Sequence, residues 1–171
     1  MGPQVRDWTV VDCGANVGLF SLFLKEAARV VAVEPNPDVN RRLAMNLESN
    51  GVAATVVEAA ISDRDGTVKM DFAGPSVLTE IGESGTEVRS VSLDSLFAET
   101  KVDSVDLLKL DLEGHEIEAL RGGTHALEQG LIKRIVAEFN DADALAALDR
   151  HLAAFGFRRV STGRINARFE L

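Results

Sequence analysis

At 171 residues, with 46% apolar and 26% charged side chains, the chain has the size and composition of one soluble globular domain with one core. Its single cysteine, Cys13, excludes an internal disulfide and a cysteine-bound zinc cluster, and the formal charge of -9 argues against nucleic-acid binding. No apolar run approaches the ~18 residues of a membrane span, and the first residues lack the pattern of a signal peptide, so we expect a cytoplasmic protein that binds no membrane.

The first third of the chain alternates strand and helix patterns. Buried strands are predicted at 8–11, at 30–33 and around 56–57. After the first strand, helical spacing connects the apolar residues Phe20, Phe23, Leu24 and Ala27. A second helix is predicted to begin after the cap residue Asn36 and to stop at Gly51. Two such units joined by crossovers imply parallel strands.

An insertion is predicted at residues 62–104, between the third and fourth strands of the sheet. Residues 67–72 and 87–93 have the pattern of short strands, and the segment 73–86 between them is rich in Gly, Pro and Ser. We interpret this region as a hairpin-like flap.

Strand and helix patterns alternate again after the insertion. A strand is predicted at 105–110, a helix from about 114 to 120, a strand at 132–139, and a helix that Asn140 or Asp141 caps and Gly156 ends. In the tail, polar residues alternate with Ile165, Ala167, Phe169 and Leu171. This alternation predicts a terminal antiparallel hairpin with its turn at 162–163. The whole pattern predicts a single α/β domain of Rossmann-like type, with a mostly parallel sheet and helices on both faces.

The loop after the first strand has the composition of a ligand cradle. It reads Asp-Cys-Gly-Ala-Asn-Val-Gly over residues 12–18, and Gly14 and Gly18 tolerate both positive φ and close approach of a ligand. Asn16 is the residue type that best accepts a left-handed backbone after glycine. The G-x-x-x-G spacing disfavours a dinucleotide.

Glu34 ends the second strand, about 20 residues after this loop, where an acidic side chain can accept hydrogen bonds from ribose hydroxyls. Taken singly, the glycines predict a tight structural turn, and Glu34 predicts a solvated strand end or a helix cap. Together at this spacing they predict a site for a nucleoside-type cofactor.

A second group of polar residues follows the fourth strand. Asp12, Glu34, Asp111 and Glu138 each lie at the carboxyl end of a predicted parallel strand, so we expect them at one edge of the sheet. Such a gathering of carboxylates suits a cationic ligand. If the strand continues to Glu113, then Lys109, Asp111 and Glu113 point to one side, and Lys109 neutralises one carboxylate. His115 is the only histidine beside this edge.

Several segments together resemble one protein family. They are VVDCGANVG at 10–18, VEPNP at 33–37, AISDRDG at 60–66, VSLDSL at 91–96, LLKLDLEGHEIEALRGG at 107–123 and IVAEF at 135–139. The chain resembles the FkbM family of methyltransferases from about residue 8 to 140. The resemblance implies the seven-stranded class I methyltransferase fold, S-adenosylmethionine as cofactor, and methyl transfer to a hydroxyl oxygen of a sugar or secondary metabolite.

The resemblance also implies roles for individual residues. Gly14, Asn16 and Gly18 would cradle the methionine part of the cofactor, Glu34 would hold the ribose, and Asp111 would border the methyl group. Glu58, Ala59 and Ala60 stand where such enzymes contact adenine. The cofactor-binding candidates are Asp12, Gly14, Ala15, Asn16, Gly18, Glu34, Pro35, Glu58, Ala59, Ala60 and Asp111.

His115 is the first candidate for a general base, and Asp111, Glu113 and Glu138 follow it. No metal ligand is assigned. Asp111 and Glu138 could form an oxygen-rich metal site with Asn140 or Asp141, but we favour the interpretation that Asn140 and Asp141 cap the last helix.

Two other functions remain as alternatives, namely a trimmed cofactor-binding domain without catalysis and a nicotinamide-dependent oxidoreductase. The first strand begins at Trp8, whereas members of the FkbM family carry earlier residues that help to roof the active site. We therefore expect the pocket for a small hydroxyl acceptor to be open, closed by the segment 73–86, or completed by another chain of a homo-oligomer.

Overall fold

A computed structural model describes residues 5–72, 80–82 and 85–171. In chain order the elements are β1 (Thr9–Cys13), α1 (Leu19–Phe23), β2 (Arg29–Val33), α2 (Pro37–Ser49), β3 (Ala54–Val57), β4 (Ala60–Ile61), β5 (Gly66–Asp71), β6 (Glu80–Gly82), β7 (Thr86–Val91), α3 (Leu93–Thr100), β8 (Leu107–Leu110), α4 (Glu116–Arg121), α5 (Thr124–Glu128), β9 (Arg134–Glu138), α6 (Ala142–Ala153), β10 (Arg158–Thr162) and β11 (Asn166–Glu170).

Seven strands form the central sheet, in the order β3-β2-β1-β8-β9-β11-β10. The first five of these run parallel, and β11 is antiparallel to both β9 and β10. The mostly parallel sheet and the terminal antiparallel hairpin are as predicted. Because β1 lies between β2 and β8, the strand order reverses beside β1, and α/β sheets bind their ligands at such a reversal.

Helices cover both faces of this sheet. On one face, α2 packs Leu43 and Leu47 against Val30 and Ala32. On the other face, apolar residues of α3, α4, α5 and α6 join inward-facing strand residues such as Leu108 in the largest core cluster. None of the helices in the described part of the chain is long and apolar enough to cross a membrane.

The helix caps of α2 and α6 lie at residues that the sequence predicted. The side chain of Asn36 accepts hydrogen bonds from the backbone N–H groups of Asp38 and Val39 at the start of α2, and Gly51, which follows the helix, has a φ of 69°. Asp141 caps α6 by accepting from the N–H of Ala144 at 2.8 Å.

A second sheet has the order β4-β7-β5-β6, in which β5, β6 and β7 belong to the predicted insertion and β4 directly precedes it. The two predicted strands correspond to β5 and β7, which pair antiparallel. Most of the glycine-rich centre predicted for the flap, residues 73–79 and 83–84, lies outside the described residues. The prediction of a strand over 87–93 was wrong at its end, because Ser92 accepts from the N–H of Ser95 and begins α3 at Leu93.

Further sequence predictions need correction in α1 and in the tail. The helical spacing extends to Ala27, but α1 ends at Phe23, and Phe23 is 77% exposed. Of the residues predicted to be buried in the tail, Ala167 and Phe169 are buried, whereas Ile165 and Leu171 flank β11 and are half exposed. The remaining boundaries differ from prediction by a few residues.

Candidate functional site

A cavity of about 240 Å³ lies at the carboxyl edge of the central sheet, beside the second sheet. Its wall is formed by Gly14, Asn16, Glu34, Pro35, Val39, Ala59, Ala60, Ile61, Met70, Asp111, Leu112, Glu113, His115 and Glu138. The end of β9 and the loops that follow β1, β2 and β8 therefore meet here, at the reversal of strand order.

The glycine loop after β1 has the predicted backbone. Gly14, Asn16 and Gly18 have φ values of 74°, 49° and 91°, all in the left-handed region. A Cβ on Gly14 would lie 1.9 Å from the carbonyl oxygen of Asp111, so only glycine lets the loops after β1 and β8 approach this closely. Gly14 and Asn16 line the cavity, whereas Gly18 is buried and packs against Leu43 of α2.

Glu34 is buried at the end of β2, with 7% of its surface exposed. Its two carboxylate oxygens accept hydrogen bonds from the backbone N–H groups of Asn16, at 3.1 Å, and Asn36, at 2.9 Å. Burial raises the pKa of Glu34, although these two hydrogen bonds oppose the rise. A carboxylate has about four acceptor positions, so Glu34 keeps capacity to accept from a ligand in the cavity.

Asp12 lies behind the glycine loop and does not line the cavity, because it is fully buried. One of its oxygens accepts from the hydroxyl of Ser21 at 2.7 Å, and the other lies 3.0 Å from Nζ of Lys109. Nζ of Lys109 also lies 3.1 Å from Oδ2 of Asp111 and donates to the carbonyl oxygen of Gly14 at 2.8 Å. Lys109 therefore contacts two carboxylates rather than one.

Asp111 and Glu138 form a hydrogen-bonded pair across the ends of β8 and β9. The hydrogen bond to Asp111, burial, and the negative charges of Asp111, Glu113 and Glu116 raise the pKa of Glu138 to about 8. Burial alone would raise the pKa of Asp111, but the hydrogen bond from Glu138 and the charge of Lys109 lower it overall. The two carboxyl groups therefore titrate as a coupled pair, which keeps one shared proton at neutral pH.

The segment after β8 is a sharp turn and not the predicted continuation of the strand. The strand ends at Leu110, and Glu113 and Gly114 have φ values of 52° and 98°. One oxygen of the buried Glu116 accepts from the N–H groups of Leu112, at 2.8 Å, and Gly114, at 3.4 Å. The turn consequently delays the start of α4 from the predicted residue 114 to Glu116.

His115 follows this turn and lines the cavity. Its Nδ1 is buried and has no hydrogen-bond partner among the residues that the structure describes. An imidazole nitrogen without a protein partner can exchange a proton with a bound molecule.

Most of the predicted site residues meet at the cavity. Four do not line it, namely Asp12, Ala15, Gly18 and Glu58. Sequence reasoning missed the apolar wall residues Val39, Ile61, Met70 and Leu112. The sequence carries no signal for these four, because core positions and cavity walls have the same apolar pattern. The described residues contain no cluster of three or more His, Cys, Asp or Glu that could hold a metal ion.

Comparisons with known proteins agree with this geometry. Residues 12–159 match the family described as the methyltransferase FkbM domain. The hexuronic acid methyltransferase AglP of Haloferax volcanii is 30% identical over 129 residues, which are 72% of this chain and 53% of AglP. The chain thus spans about half the length of that relative.

The 31-O-demethyl-FK506 methyltransferase FkbM of Streptomyces tacrolimicus is 28% identical, with 94% of this chain and 76% of the relative covered. Among solved structures, magnesium protoporphyrin IX methyltransferase of Synechocystis, described with bound SAM, has a TM-score of 0.59 at 16% identity and covers 97% of this chain and 70% of its own. At this identity the likeness shows the fold, which is that of the class I methyltransferases.

Proposed function

Because the chain belongs to the FkbM family of methyltransferases, whose cofactor is S-adenosylmethionine, we propose that it catalyses O-methylation of a small hydroxylated molecule, such as a sugar or secondary metabolite. The observation that carries the proposal is the cavity at the reversal of strand order. A glycine cradle and a buried carboxylate line one part of it, and acid and base groups line another.

The residues present fit this cofactor. The backbone of Gly14 and Asn16 would hold its methionine part, and Glu34, which retains acceptor capacity, would bind the ribose hydroxyls. The apolar residues Val39, Ala59, Ala60, Ile61 and Met70 supply a wall for the adenine ring. When bound, S-adenosylmethionine supplies a sulfonium methyl group for displacement by a nucleophilic oxygen.

His115 is the group we propose to accept the proton of the acceptor hydroxyl, since its Nδ1 has no partner among the described residues. Asp111 and Glu138 are less suited to this role at neutral pH. The pair already shares one proton, and the charge of Lys109 lowers the pKa of Asp111 and makes it a weak base. General bases typically contribute 10²–10⁴-fold, whereas positioning can contribute about 7–11 kcal/mol, so the cavity wall should contribute most of the rate enhancement.

The charges around the cavity favour a neutral or cationic acceptor. Carboxyl groups of Glu34, Asp111, Glu113 and Glu138 line it, and among the described residues no lysine or arginine does. Residues 1–4, 73–79 and 83–84 contain no Lys, Arg or His in the sequence either. An anionic acceptor would lack a countercharge here, in contrast to the hexuronic acid named for AglP.

The whole chain, residues 1–171, is proposed to be one methyltransferase domain with an insertion at 62–104. In support, Ile61, which directly precedes that insertion, and Val91 and Leu93 within it belong to the same core cluster as Leu108 of the central sheet.

Methyl transfer can be tested with the purified chain, S-adenosylmethionine and a panel of neutral, cationic and anionic hydroxyl compounds. Mass spectrometry would follow the gain of one methyl group. We expect products from neutral or cationic members. Tight binding of S-adenosylhomocysteine without product from any member would favour the non-catalytic alternative, and methylation of the anionic members alone would contradict the proposed acceptor class.

A further inference from the structure

The ammonium group of Lys109 lies where the ends of β1 and β8 meet. Its Nζ is 3.0 Å from Oδ1 of Asp12, 3.1 Å from Oδ2 of Asp111 and 2.8 Å from the carbonyl oxygen of Gly14. The contact with the carbonyl oxygen of Gly14 is a hydrogen bond, and the contacts with Asp12 and Asp111 are ion pairs. Lys109 therefore contacts the glycine loop after β1 and also Asp111, which is one member of the carboxyl pair Asp111 and Glu138.

The side chain of Lys109 is largely buried behind the cavity wall. The side chain of Lys109 is 12% exposed and does not line the cavity, and its Nζ lies 5.7 Å from the ring centroid of Phe20 in α1. Asp12 is fully buried and does not line the cavity either. Lys109 is consequently placed to act on groups of the site rather than on a bound molecule.

The charges of the site depend on this ammonium. Asp111 is in contact with Lys109 and Glu138, and Glu138 also experiences the negative charges of Glu113 and Glu116. The cation stabilises the negative charge on Asp111, and without it the two carboxyl groups would compete more evenly for their proton.

We propose that Lys109 is a positioning residue: it fixes the glycine loop against Asp111 and keeps Asp111 ionised, so that Glu138 carries the proton that the two carboxyl groups share. Only the relevance to methyl transfer rests on the proposed function. The electrostatic and structural parts concern the chain itself and can be measured without acceptor.

The test compares four variants with the wild type. Replacement of Lys109 alone leaves Asp12 buried without its countercharge, which can prevent folding, so the main variant is the double substitution Asp12→Asn with Lys109→Met. Lys109→Arg retains the cation. Glu138→Gln identifies which carboxyl midpoint belongs to Glu138. Lys25→Met, at an exposed lysine, is the matched control. Thermal melting verifies that each variant folds.

Carboxyl ¹³C NMR titration of the protein without cofactor is the first readout. We expect the wild type to show a carboxyl midpoint near pH 8 that is lost in Glu138→Gln. In the double variant the midpoints of both carboxyl groups should rise, by about one pH unit or more, and Lys109→Arg should remain near the wild type. Unchanged midpoints in the folded double variant would overturn the proposal.

Calorimetry with S-adenosylhomocysteine is the second readout. We expect binding at least roughly tenfold weaker in the double variant and within about twofold of the wild type in Lys25→Met. Wild-type affinity in the double variant would contradict the proposed role in fixing the loop. A wild type that binds no S-adenosylhomocysteine, but whose carboxyl midpoints still depend on Lys109, would instead count against the proposed function alone.

Discussion

Asp111 and Glu138 show how two carboxyl groups of one site acquire different states. Both are partly withdrawn from water, which disfavours the charged form of each. Lys109 contacts Asp111 at 3.1 Å, whereas Glu138 has the carboxylates of Glu113 and Glu116 nearby. Asp111 is therefore the more readily ionised of the two, and Glu138 donates the hydrogen bond between them.

This arrangement predicts a pH-dependent stability. As pH rises from the ordinary value of 4.5 to about 8, Glu138 loses its proton in the unfolded chain but keeps it in the folded one, so the free energy of unfolding falls. Glu138→Gln should remove this loss, since an amide replaces the protonated carboxyl. We expect the melting temperature at pH 8 to rise by ~2–4 °C, equivalent to about 1 kcal/mol after solvent screening, and to change little at pH 5. Equal effects at both pH values, or the same gain in the exposed control Glu26→Gln, would contradict this account.

His115 should affect catalysis without affecting cofactor binding. His115→Ala removes the proposed base, so we expect turnover to fall by about 10²–10⁴-fold. Because His115 is not among the proposed cofactor contacts, most of which lie in other loops, S-adenosylhomocysteine affinity measured by calorimetry should stay within roughly twofold. His125→Ala, at an exposed histidine of α5, is the matched control and should retain wild-type turnover. Wild-type turnover of His115→Ala would exclude His115 as the base.

At the scale of elements, the contact between the loops after β1 and β8 depends on a glycine at position 14, which has no Cβ. A Cβ on Gly14 would collide with the carbonyl oxygen of Asp111, whereas a Cβ on Gly51, also at positive φ, would meet nothing within 4 Å. Gly51→Ala should therefore cost only the ~1–2 kcal/mol of a left-handed backbone and leave cofactor affinity unchanged.

Gly14→Ala should have a larger effect on both properties. The loop must move away from Asp111, so we expect a greater loss of stability than in Gly51→Ala, and S-adenosylhomocysteine binding weaker by roughly tenfold or more. Chemical denaturation and calorimetry measure the two effects. Equal stability losses and unchanged affinity in both variants would show that the close loop contact is unimportant.

Some local signals could be read from the sequence, whereas others were hidden where a strand-like alternation continues past the end of a strand. Asn36, Pro37 and Gly51 marked the limits of α2 correctly, since caps are local interactions. Helix α3 was missed because the apolar alternation of β7 continues to Leu93, and only the cap at Ser92 separates the two elements. Likewise, the alternation of Asp111 and Glu113 suggested a longer strand, but the positive φ of Glu113 turns the chain.

At the scale of the whole molecule, the strand order explains why distant residues form one site. The parallel pairs of β1 with β2 and β8 bring Gly14, Glu34 and Asp111 to the same edge, as the positions of these residues at strand ends predicted. Buried contacts were less accessible to sequence reasoning. Asp12 was expected to bind the cofactor, yet it lies behind the loop with Lys109, and Met70 reaches the cavity from the second sheet.

The central claim is that this edge binds S-adenosylmethionine through Glu34, and calorimetry with S-adenosylhomocysteine tests it most directly. We expect a stoichiometric complex with the wild type, affinity roughly 10- to 100-fold weaker in Glu34→Ala, as the loss of a charge-assisted hydrogen bond requires, and no change in the exposed control Glu48→Ala. A wild type that binds NAD as well as S-adenosylhomocysteine, or a Glu34→Ala variant with wild-type affinity, would contradict the claim.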